Sequence, residues 1–572
     1  MPLMDRPLRL CLLHVHEPLR DAFLALGCEV LWLMPASSGV LHLPTELAAH
    51  GFTPDIVFQQ ELLGPRLLLS GLDELNAVRL FWSVDPHLNA FWHAAYIRLF
   101  DAAFSTQRRW MPELRAHGGH VLHLPWYAPE EPFTPFAQRQ RDAGFVGRLG
   151  LNRPARTWLA ELLTQTLPGG FEAQDNLDFA GMLAFYRATR LAPNESISGE
   201  INFRLFEAAG CGSVVLAQDL GPEQAELFEP GREMLVCADA LELVESARML
   251  SARPRLAEAM GRAAWERARA CHLPLARAKT VLETAGQTTR QGAEAAPGKR
   301  WLALALAGLL EAGRLDARGE AVAASLRSLD VPAAATDSGQ GLDEPLLAAR
   351  LRVAWALDQK AETAELLPRC RKAKTLGLPL ALTCSMAALR LWLDQGGNEN
   401  LSLAQEFADR AGVRPAGTDP AAAALLLAWA DRLDPEALGE DGPHSRGGFS
   451  FDVGKHLPAS RTECLYWAAA LAPGDLSVLH SLDAALADTW GAEVLRLGLL
   501  SELGMRAGDD WRVGLATGLC DLRLFRPEAG LSELALAAQL ALQQGEAAAC
   551  AQALALADPS GRIRRALRTA HG

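Results

Sequence analysis

Paired cysteines are missing from this sequence of 572 residues. Its ten cysteines are spread singly along the chain, and no CxxC pair occurs. A zinc ribbon and a thioredoxin-type redox centre both need closely spaced cysteines, so neither is predicted. A free thiol in apolar surroundings behaves as a small hydrophobic group, and the pattern favours a reducing compartment.

Long apolar runs are also missing. The longest lies around residues 421–430, well below the roughly 20 residues that cross a bilayer. The first residues, MPLMDRPLRLCLLHVHEP, hold an apolar run too short for a signal peptide and no cleavage site of small residues. We therefore expect a soluble, cytoplasmic protein without a transmembrane segment.

Clustered positive charge is the third feature that the sequence lacks. Lys and Arg number 55 against 68 Asp and Glu, which gives a formal net charge of -13. Nucleic-acid binding depends on grouped cations that neutralise phosphates, so we expect no nucleic-acid partner. A local basic pocket for a small phosphate ligand remains compatible with this balance.

What the sequence does contain is a regular alternation of short apolar runs with helical patterns. Such alternation is typical of parallel sheets covered by helices, and it starts anew near residue 140. It predicts a Rossmann-like domain over 1–138 and a second one over 139–285, which ends in a helical stretch from Ala240 to about Ala285. The predicted strands are RLCLLHV, CEVLWLM, DIVFQQ, AVRLFWSVD, AAFSTQ and HVLHLPW in the first domain, and GFVGR, SVVLAQ and MLVCA in the second.

Strand signals end beyond a polar linker at 286–299. Residues 300–572 are rich in Ala and Leu with helical periodicity, and four tryptophans recur at intervals of 37, 37 and 38 residues: Trp355, Trp392, Trp429 and Trp467. A period in the thirties without strands predicts stacked helical hairpins. We interpret 300–572 as an all-α, tetratricopeptide-like repeat domain.

Ligands of open α/β sheets bind beyond the carboxyl ends of the strands, which selects polar residues directly after them. His16 is either a ligand contact or a structural residue at a strand end, and His87 is either functional or part of a turn after Asp-Pro. Trp126 is either a platform for a sugar or a packing residue, together with Tyr127. The candidates in the first domain are His16, Asp85, His87, Gln107 and Trp126.

The segment GFVGRLGLNRP, residues 144–154, predicts an anion site. A strand that runs into Gly147 and then into a helix presents free backbone N–H groups. Arg148 and Arg153 add two cations beside that turn. The implied ligand is a phosphate or a diphosphate.

A second candidate segment, NESISGEINFRLFEAAGCG, follows at 194–212. Its charged residues Glu200, Arg204 and Glu207 recur at helical spacing, and apolar residues crowd around them, so we expect the charges to be buried and to need partners. A ribose or a phosphate is one such partner. We assign Asn202 to the same donor-binding group.

The stretches INFRLFEAAGCGSVVL and LFEPGREMLVCADALELVESARML resemble the donor domain of CgeB-like glycosyltransferases, relatives of the group-1/family-4 enzymes of the GT-B fold. FVGRLGLNR resembles the first strand and loop of that domain, and SVDPHLNAFWHAAYIRLFDAAFSTQ resembles the acceptor-side domain. The resemblance covers roughly residues 8–285. It implies an α/β fold of GT-B type, with two facing Rossmann-like domains followed here by the helical repeats.

The resemblance also implies roles. Glu207 matches the glutamate that binds the donor ribose, Arg148 and Arg153 match the positions that hold the diphosphate, and Asp85 and His87 lie where relatives place polar residues near the reacting sugar. The family usually has seven residues between its two glutamates, whereas six separate Glu200 from Glu207. HVHEP replaces the glycine-rich loop that many relatives have after the first strand.

These observations predict a glycosyltransferase that uses a UDP- or GDP-linked sugar and needs no metal or other cofactor. The resemblance favours retention of configuration, whereas a general base at Asp85 or His87 would give inversion. Solenoids bind extended polypeptides well, so the predicted acceptor is a protein such as a surface or flagellar subunit. The alternatives are a cell-surface polysaccharide acceptor and an inactive, transferase-like scaffold.

Overall fold

The computed structural model describes residues 6–64, 66–167, 169–289, 295–315, 319–330, 342–415, 421–434 and 446–570. The chain divides into two compact units, each assembled from two stretches of sequence. The first unit combines Met1–Pro125 with Ala278–Val478, and the second combines Trp126–Arg277 with Leu479–Gly572.

The first unit is built on a six-stranded parallel sheet in the order β2-β1-β4-β6-β7-β8, with a small parallel pair, β3 and β5, beside it. Its strands are β1 (Arg9–Leu13), β2 (Glu29–Leu33), β3 (Gly39–His42), β4 (Ile56–Gln60), β5 (Leu67–Ser70), β6 (Val78–Ser83), β7 (Ala102–Ser105) and β8 (Val121–His123). The helices among them are α1 (Glu17–Ala25), α2 (Leu43–Ala49), α3 (Pro86–Tyr96) and α4 (Met111–Leu114).

The second unit is built on a five-stranded parallel sheet in the order β10-β9-β11-β12-β13. Its strands are β9 (Arg141–Val146), β10 (Phe171–Gln174), β11 (Thr189–Asn194), β12 (Val214–Gln218) and β13 (Met234–Cys237). The helices that follow them are α5 (Pro154–Thr166), α6 (Phe179–Arg187), α7 (Phe203–Gly210), α8 (Pro222–Leu227), α9 (Ala240–Ala252), α10 (Pro254–Cys271) and α11 (Pro274–Gln287).

Helices of the C-terminal half complete the first unit. The first three of them share a core with its sheet, in which Ala303, Ala307 and Leu309 pack with Trp92 and Tyr96. Trp429 donates from Nε1 to Ser385 Oγ over 3.0 Å, which joins two helices that are separated by a third one in the sequence. These helices are α12 (Ala295–Glu311), α13 (Gly319–Leu329), α14 (Glu344–Ala356), α15 (Lys360–Arg371), α16 (Leu378–Gln395), α17 (Asn398–Arg410), α18 (Ala421–Arg432) and α19 (Arg461–Leu471).

The last helices complete the second unit. Phe525 lies in the core of the second α/β domain with Leu159 and Leu243, and Arg562 pairs with Glu242 at 2.8 Å. After α20 (Leu476–Ala487), which crosses the boundary between the units, come α21 (Glu493–Arg506), α22 (Trp511–Arg523), α23 (Pro527–Gln543), α24 (Ala547–Ala557) and α25 (Arg562–Ala570).

The predicted fold class is confirmed: two parallel-sheet α/β domains are followed by helices, and among the described residues no strand lies beyond 237. The four periodic tryptophans fall on α14, α16, α18 and α19, while the tetratricopeptide likeness stays a prediction. The predicted linker overlaps the ends of α11 and α12, and its residues 290–294 lie outside the described residues. The helical stretch predicted from Ala240 is three helices, because Pro254 and Pro274 each start a new one.

All ten cysteines are free thiols, and nine of them are buried. Within the described parts of the chain, no helix combines the length and the apolar character that crossing a bilayer requires.

Candidate functional site

The loop after β9 forms one wall of the candidate site in the second unit. Gly147 has a φ of +152°, and a Cβ there would lie 3.0 Å from the Phe145 ring and 3.1 Å from a guanidinium nitrogen of Arg204. Glycine is therefore required both by the backbone conformation and by the close approach. The loop leads into α5, whose first backbone N–H groups have no partner within the helix.

Two of the predicted phosphate ligands lie on this loop. The Arg148 side chain is exposed, and that of Arg153, at the N-cap of α5, is partly exposed. Neither guanidinium makes a hydrogen bond or an ion pair with any residue that the structure describes. Two uncommitted cations beside a helix N-terminus form a suitable site for an anion.

Arg204, on α7, ties the loop to the neighbouring strand. Its Nε donates to the carbonyl of Val146 over 3.2 Å, and its Nη1 donates to Asn194 Oδ1 over 2.9 Å. The guanidinium also lies over the Phe145 ring, 4.1 Å from its centroid. These bonds hold the carboxyl ends of β9 and β11 together, so Arg204 shapes the site.

A buried ion pair that the sequence analysis did not select lies beside these residues. Arg156 on α5 and Glu195 after β11 pair at 2.8 Å, with both side chains almost fully buried. Burial has the largest effect on the pKa of Arg156 and lowers it, while the negative charge of Glu195 opposes that shift. Because each charge satisfies the other, this pair fixes α5 against β11 and is not available to a ligand.

Glu200 and Asn202 organise the segment before α7. The Glu200 carboxylate accepts hydrogen bonds from Ser196 Oγ at 2.6 Å and from the Ser198 N–H at 2.8 Å. Asn202 Nδ2 donates to the Glu195 carbonyl at 3.1 Å, whereas its buried Oδ1 has no hydrogen-bond partner among the described residues. Glu200 lies before the helix that carries Arg204 and Glu207, so the three residues do not share one helical face.

Glu207 presents a carboxyl group of unusual character. It lies on α7 and is partly buried, and its side chain makes no hydrogen bond to another described residue. Burial raises its pKa to about 7, and the positive charge of Arg204 opposes this shift. A carboxyl group without a hydrogen-bond partner among the described residues is available to accept hydroxyl hydrogen bonds from a ligand.

Trp126, in the second unit, is a packing residue in this structure. It is 5% exposed, and its ring stacks on Tyr127 and Phe203 with centroids 4.5 and 4.2 Å away. Arg277 donates from Nε and Nη2 to the Trp126 carbonyl. Its ring therefore offers little surface to a sugar.

The first unit holds the other predicted residues at the carboxyl ends of its own strands. The Asp85 N–H donates to Glu61 Oε2 over 2.9 Å, and the Val84 N–H donates to the same oxygen over 2.8 Å. Asn89 Nδ2 donates to Glu61 Oε1. Glu61, which directly follows β4, therefore fixes the turn that carries Asp85 and His87, and burial raises the pKa of Glu61 to about 7.

The predicted residues of this domain are mostly buried. Asp85 is 8% and His87 is 9% exposed, and the Nδ1 of His87 has no hydrogen-bond partner among the described residues. The His16 N–H donates to Gln60 Oε1 over 3.3 Å, which joins the ends of β1 and β4. Gln107 is 3% exposed, and its carbonyl accepts from Ser105 Oγ. Hydrogen bonds thus fix the turn with Asp85 to the end of β4, and Ser105 fixes the backbone at Gln107.

Sequence reasoning missed Glu61, although a usable signal existed. Glu61 directly follows the predicted strand DIVFQQ, so the rule that selected Asp85 would also have selected it. His14, which directly follows β1 in the same sheet, has a φ of +56°, and its Nε2 lies 2.9 Å from the Pro35 carbonyl oxygen. No sequence signal predicted this conformation.

The second α/β domain is similar to a known protein family. Residues 137–283 match the model of the family described as "Glycosyl transferase-like". The match includes the loop with Gly147 and helix α7 with Glu207. This part of the chain is therefore similar to that family. The sequence matches no curated protein.

Solved structures similar to the chain include three with low sequence identity. Sucrose-phosphate synthase from Thermosynechococcus elongatus is 14% identical, with 49% of this chain and 98% of that chain covered and a TM-score of 0.38. Anabaena HepE in complex with UDP-glucose is 12% identical, with 49% and 99% covered and a TM-score of 0.36. The pneumococcal O-GlcNAc transferase GtfA in complex with UDP and GlcNAc is 12% identical, with 43% and 59% covered and a TM-score of 0.32.

Proposed function

We propose that this protein is a glycosyltransferase that takes a sugar from a UDP- or GDP-linked donor. The observation that carries the proposal is the Glu207 carboxyl, which is partly buried and uncommitted within a domain that matches glycosyl transferase-like proteins. A carboxylate accepts two hydroxyl hydrogen bonds well, as ribose binding requires. Glu207 would therefore hold the donor ribose.

Arg148 and Arg153 would bind the donor diphosphate. Their guanidinium groups have no ion-pair partner among the described residues, and the N-terminus of α5 follows them directly. As the bond to the anomeric carbon breaks, negative charge grows on the leaving diphosphate, and fixed cations stabilise it. Two guanidinium groups supply that stabilisation, so the proposal includes catalysis without a metal or other cofactor.

The proposal assigns the acceptor side of the reaction to the first α/β domain. Asp85 and His87 are its candidate catalytic groups, and Glu61 positions the turn that carries them through two backbone N–H groups. The ten free thiols support a reducing location, which we propose to be the cytoplasm.

Nucleotide binding tests the donor site. Saturating UDP or GDP should raise the melting temperature of the protein, because a ligand at 100 times its Kd stabilises the folded state by about 2.7 kcal/mol. Glu207→Ala should weaken the binding at least tenfold and abolish donor hydrolysis, whereas Glu161→Gln on the exposed face of α5 should leave both unchanged. If no nucleotide shifts the wild-type protein, the chain is a scaffold and the proposal fails.

We further propose a protein acceptor held by the C-terminal helices, because stacked helices offer extended surfaces for polypeptides. Candidate surface or flagellar subunits incubated with the donor should gain the mass of one or more sugars in intact-mass spectra. Sugar transfer to an oligosaccharide, with the protein candidates unchanged, would contradict this assignment and favour a polysaccharide acceptor.

A further inference from the structure

A cavity of about 440 Å³ lies inside the second unit, where the carboxyl ends of β12 and β13 meet the segment between α20 and α21 and the end of α22. Its volume falls within the usual range of small-molecule sites. Residues more than 240 positions apart in the sequence form its walls. Its lining includes five charged residues and one tryptophan: Asp219, Asp239, Asp488, Glu493, Arg523 and Trp490.

The wall that carries Trp490 is fixed by close backbone packing. Gly491 has a φ of +74°, and a Cβ there would lie 2.3 Å from the Cα of Ser198. Thr489 Oγ1 donates to the Ala485 carbonyl over 2.8 Å, and the Ala492 N–H donates to the Thr489 carbonyl over 3.2 Å. The shape of the cavity is therefore set by the folded chain before any ligand binds.

Charge in the cavity selects against anions. Four carboxylates line it, and Arg523 is the only cation among the described lining residues. Asp219 Oδ1 accepts from the Gly221 N–H and Asp239 Oδ1 from the Glu242 N–H. This excess of negative charge disfavours a phosphate or a carboxylate ligand.

Three of the charged groups are uncommitted. The side chains of Asp488, Glu493 and Arg523 make no hydrogen bond or ion pair with another residue that the structure describes. Carboxylates accept hydroxyl hydrogens, and a guanidinium donates to hydroxyl or ring oxygens. This set of groups matches a ligand that carries many hydroxyls.

Trp490 supplies an apolar surface at the same place. Its side chain is 44% exposed, although a large aromatic ring gains free energy from burial. Cys237 and Phe525 add apolar surface to the lining. An aromatic ring beside uncommitted carboxylates suits a sugar, which presents C–H groups on its faces and hydroxyls at its edge.

We propose that this cavity is a binding site for a neutral saccharide of one or two units. Trp490 stacks on a sugar ring, while Asp488 and Glu493 accept its hydroxyls and Arg523 donates to its oxygens. The site is adjacent to the segment before α7, because Gln218 lines the cavity and its Oε1 accepts from the Ser196 N–H at 2.8 Å. The proposal goes beyond sugar transfer and does not require a nucleotide.

Saturation-transfer NMR on the full-length protein without nucleotide tests the proposal. The neutral probes are the methyl glycosides of glucose, galactose, mannose and N-acetylglucosamine, and the disaccharides maltose, cellobiose and lactose. Glucuronic acid and hexalysine serve as the anionic and cationic comparisons. At least one neutral probe should bind, and Trp490→Ala should weaken that binding at least tenfold.

Further variants separate binding from folding. Trp490→Phe, which keeps an aromatic ring, should retain most of the binding, and Glu493→Gln should weaken it three- to tenfold. Leu542→Ala removes a 68% exposed side chain of the same unit and should change nothing. The proposal is overturned if no neutral probe binds, if Trp490→Ala binds as the wild type does, or if glucuronic acid or hexalysine binds better. The change in melting temperature of the Trp490→Ala protein with UDP or GDP tests the donor site independently of the saccharide site.

Discussion

The raised pKa of Glu207 should make the proposed nucleotide binding sensitive to pH. Burial holds this pKa near 7, so the carboxyl becomes protonated as the pH falls from 8 to 6. A protonated carboxyl loses acceptor capacity for the ribose hydroxyls. We therefore expect the affinity for UDP or GDP, measured by calorimetry, to fall about tenfold between pH 8 and pH 6.

Glu207→Gln provides the control for that pH profile. Its amide does not titrate in this range, so the variant should bind weakly with nearly the same affinity at both pH values. A parallel pH dependence in the wild type and the variant would show that another group is responsible.

The hydrogen bonds of Glu61 should stabilise the first α/β domain. Glu61→Ala removes the acceptor of two backbone N–H groups and of the Asn89 amide, all of them buried. An unsatisfied buried donor costs about 1–3 kcal/mol, so denaturant unfolding should show a loss of about 2–4 kcal/mol. Glu74→Ala, at an exposed position of the same domain, should cost less than about 0.5 kcal/mol.

The pH dependence of this loss follows from linkage. The folded-state pKa of Glu61, about 7, lies above its ordinary value of 4.5. Glu61 therefore contributes its full stabilisation to the free energy of unfolding below about pH 4.5, and this stabilisation is lost as the pH rises through about 7. The difference between wild type and Glu61→Ala should accordingly be smaller at pH 8 than at pH 5. A difference that grows with pH would contradict this assignment.

The close contact between Gly491 and the segment before α7 should make Gly491→Ala more destabilising than the same change at Gly545. Gly491 and Gly545 share a φ of +74°, but a Cβ at Gly545 would meet nothing within 4 Å. Gly545→Ala should cost about 1–2 kcal/mol from backbone strain alone. Gly491→Ala adds a clash with Ser198 backbone, so it should cost about 1–3 kcal/mol more.

Denaturant unfolding of both variants measures the difference. Equal losses of unfolding free energy would mean that the segment around Trp490 moves away from Ser198 easily, and the cavity beside it would not be preformed.

Most strands with continuous apolar runs could be predicted from the sequence, although β5 (LLLS) is not among the predicted strands. Strands without such runs could not be predicted. β10 (FEAQ) is partly exposed along its whole length, and β11 (TRLAPN) contains Pro193, so neither carries the apolar signal of a buried parallel strand. The breaks at Pro254 and Pro274 had a readable signal, because proline favours the first turn of a helix.

Only some features of the candidate site could be predicted from the sequence. The loop with Gly147, Arg148 and Arg153 is local in sequence, so a strand, a glycine and a helix start were enough to predict it. Glu61 meets Asp85 only because β4 pairs with β6, and the cavity at Trp490 needs helices to pack on a distant sheet. Sequence periodicity carries no information on such pairings.

A network of four charges stabilises the helical part of the first unit. Arg446 pairs with Glu311 at 2.7 Å and with Glu463 at 3.0 Å, and Arg352 lies 3.4 Å from Glu311. Arg446→Ala leaves two buried carboxylates with reduced compensation, so it should lower the free energy of unfolding by about 3–5 kcal/mol. Arg506→Ala breaks an exposed pair with Glu502 and should cost less than about 1 kcal/mol.

The division of the helices between two units predicts which parts of the chain open together. Helices α12–α14 share a core with the first sheet, and α15–α19 belong to the same unit, so Arg446→Ala should speed amide hydrogen exchange in that sheet and in all of these helices. Leu534 is 2% exposed and lies in the core of the last helices. Leu534→Ala should instead speed exchange in α21–α25, and in α9, against which Arg562 holds the last helix.

Hydrogen exchange followed by mass spectrometry distinguishes this pattern from the domain division that the sequence suggests. If residues 300–572 formed one independent domain, either variant would speed exchange in all the helices from α12 to α25 and in neither sheet. Exchange that follows the two units would instead mean that each α/β domain depends on its own set of helices. The C-terminal helices would then be structural parts of both domains, and their loss would unfold the sheets that carry Asp85 and Glu207.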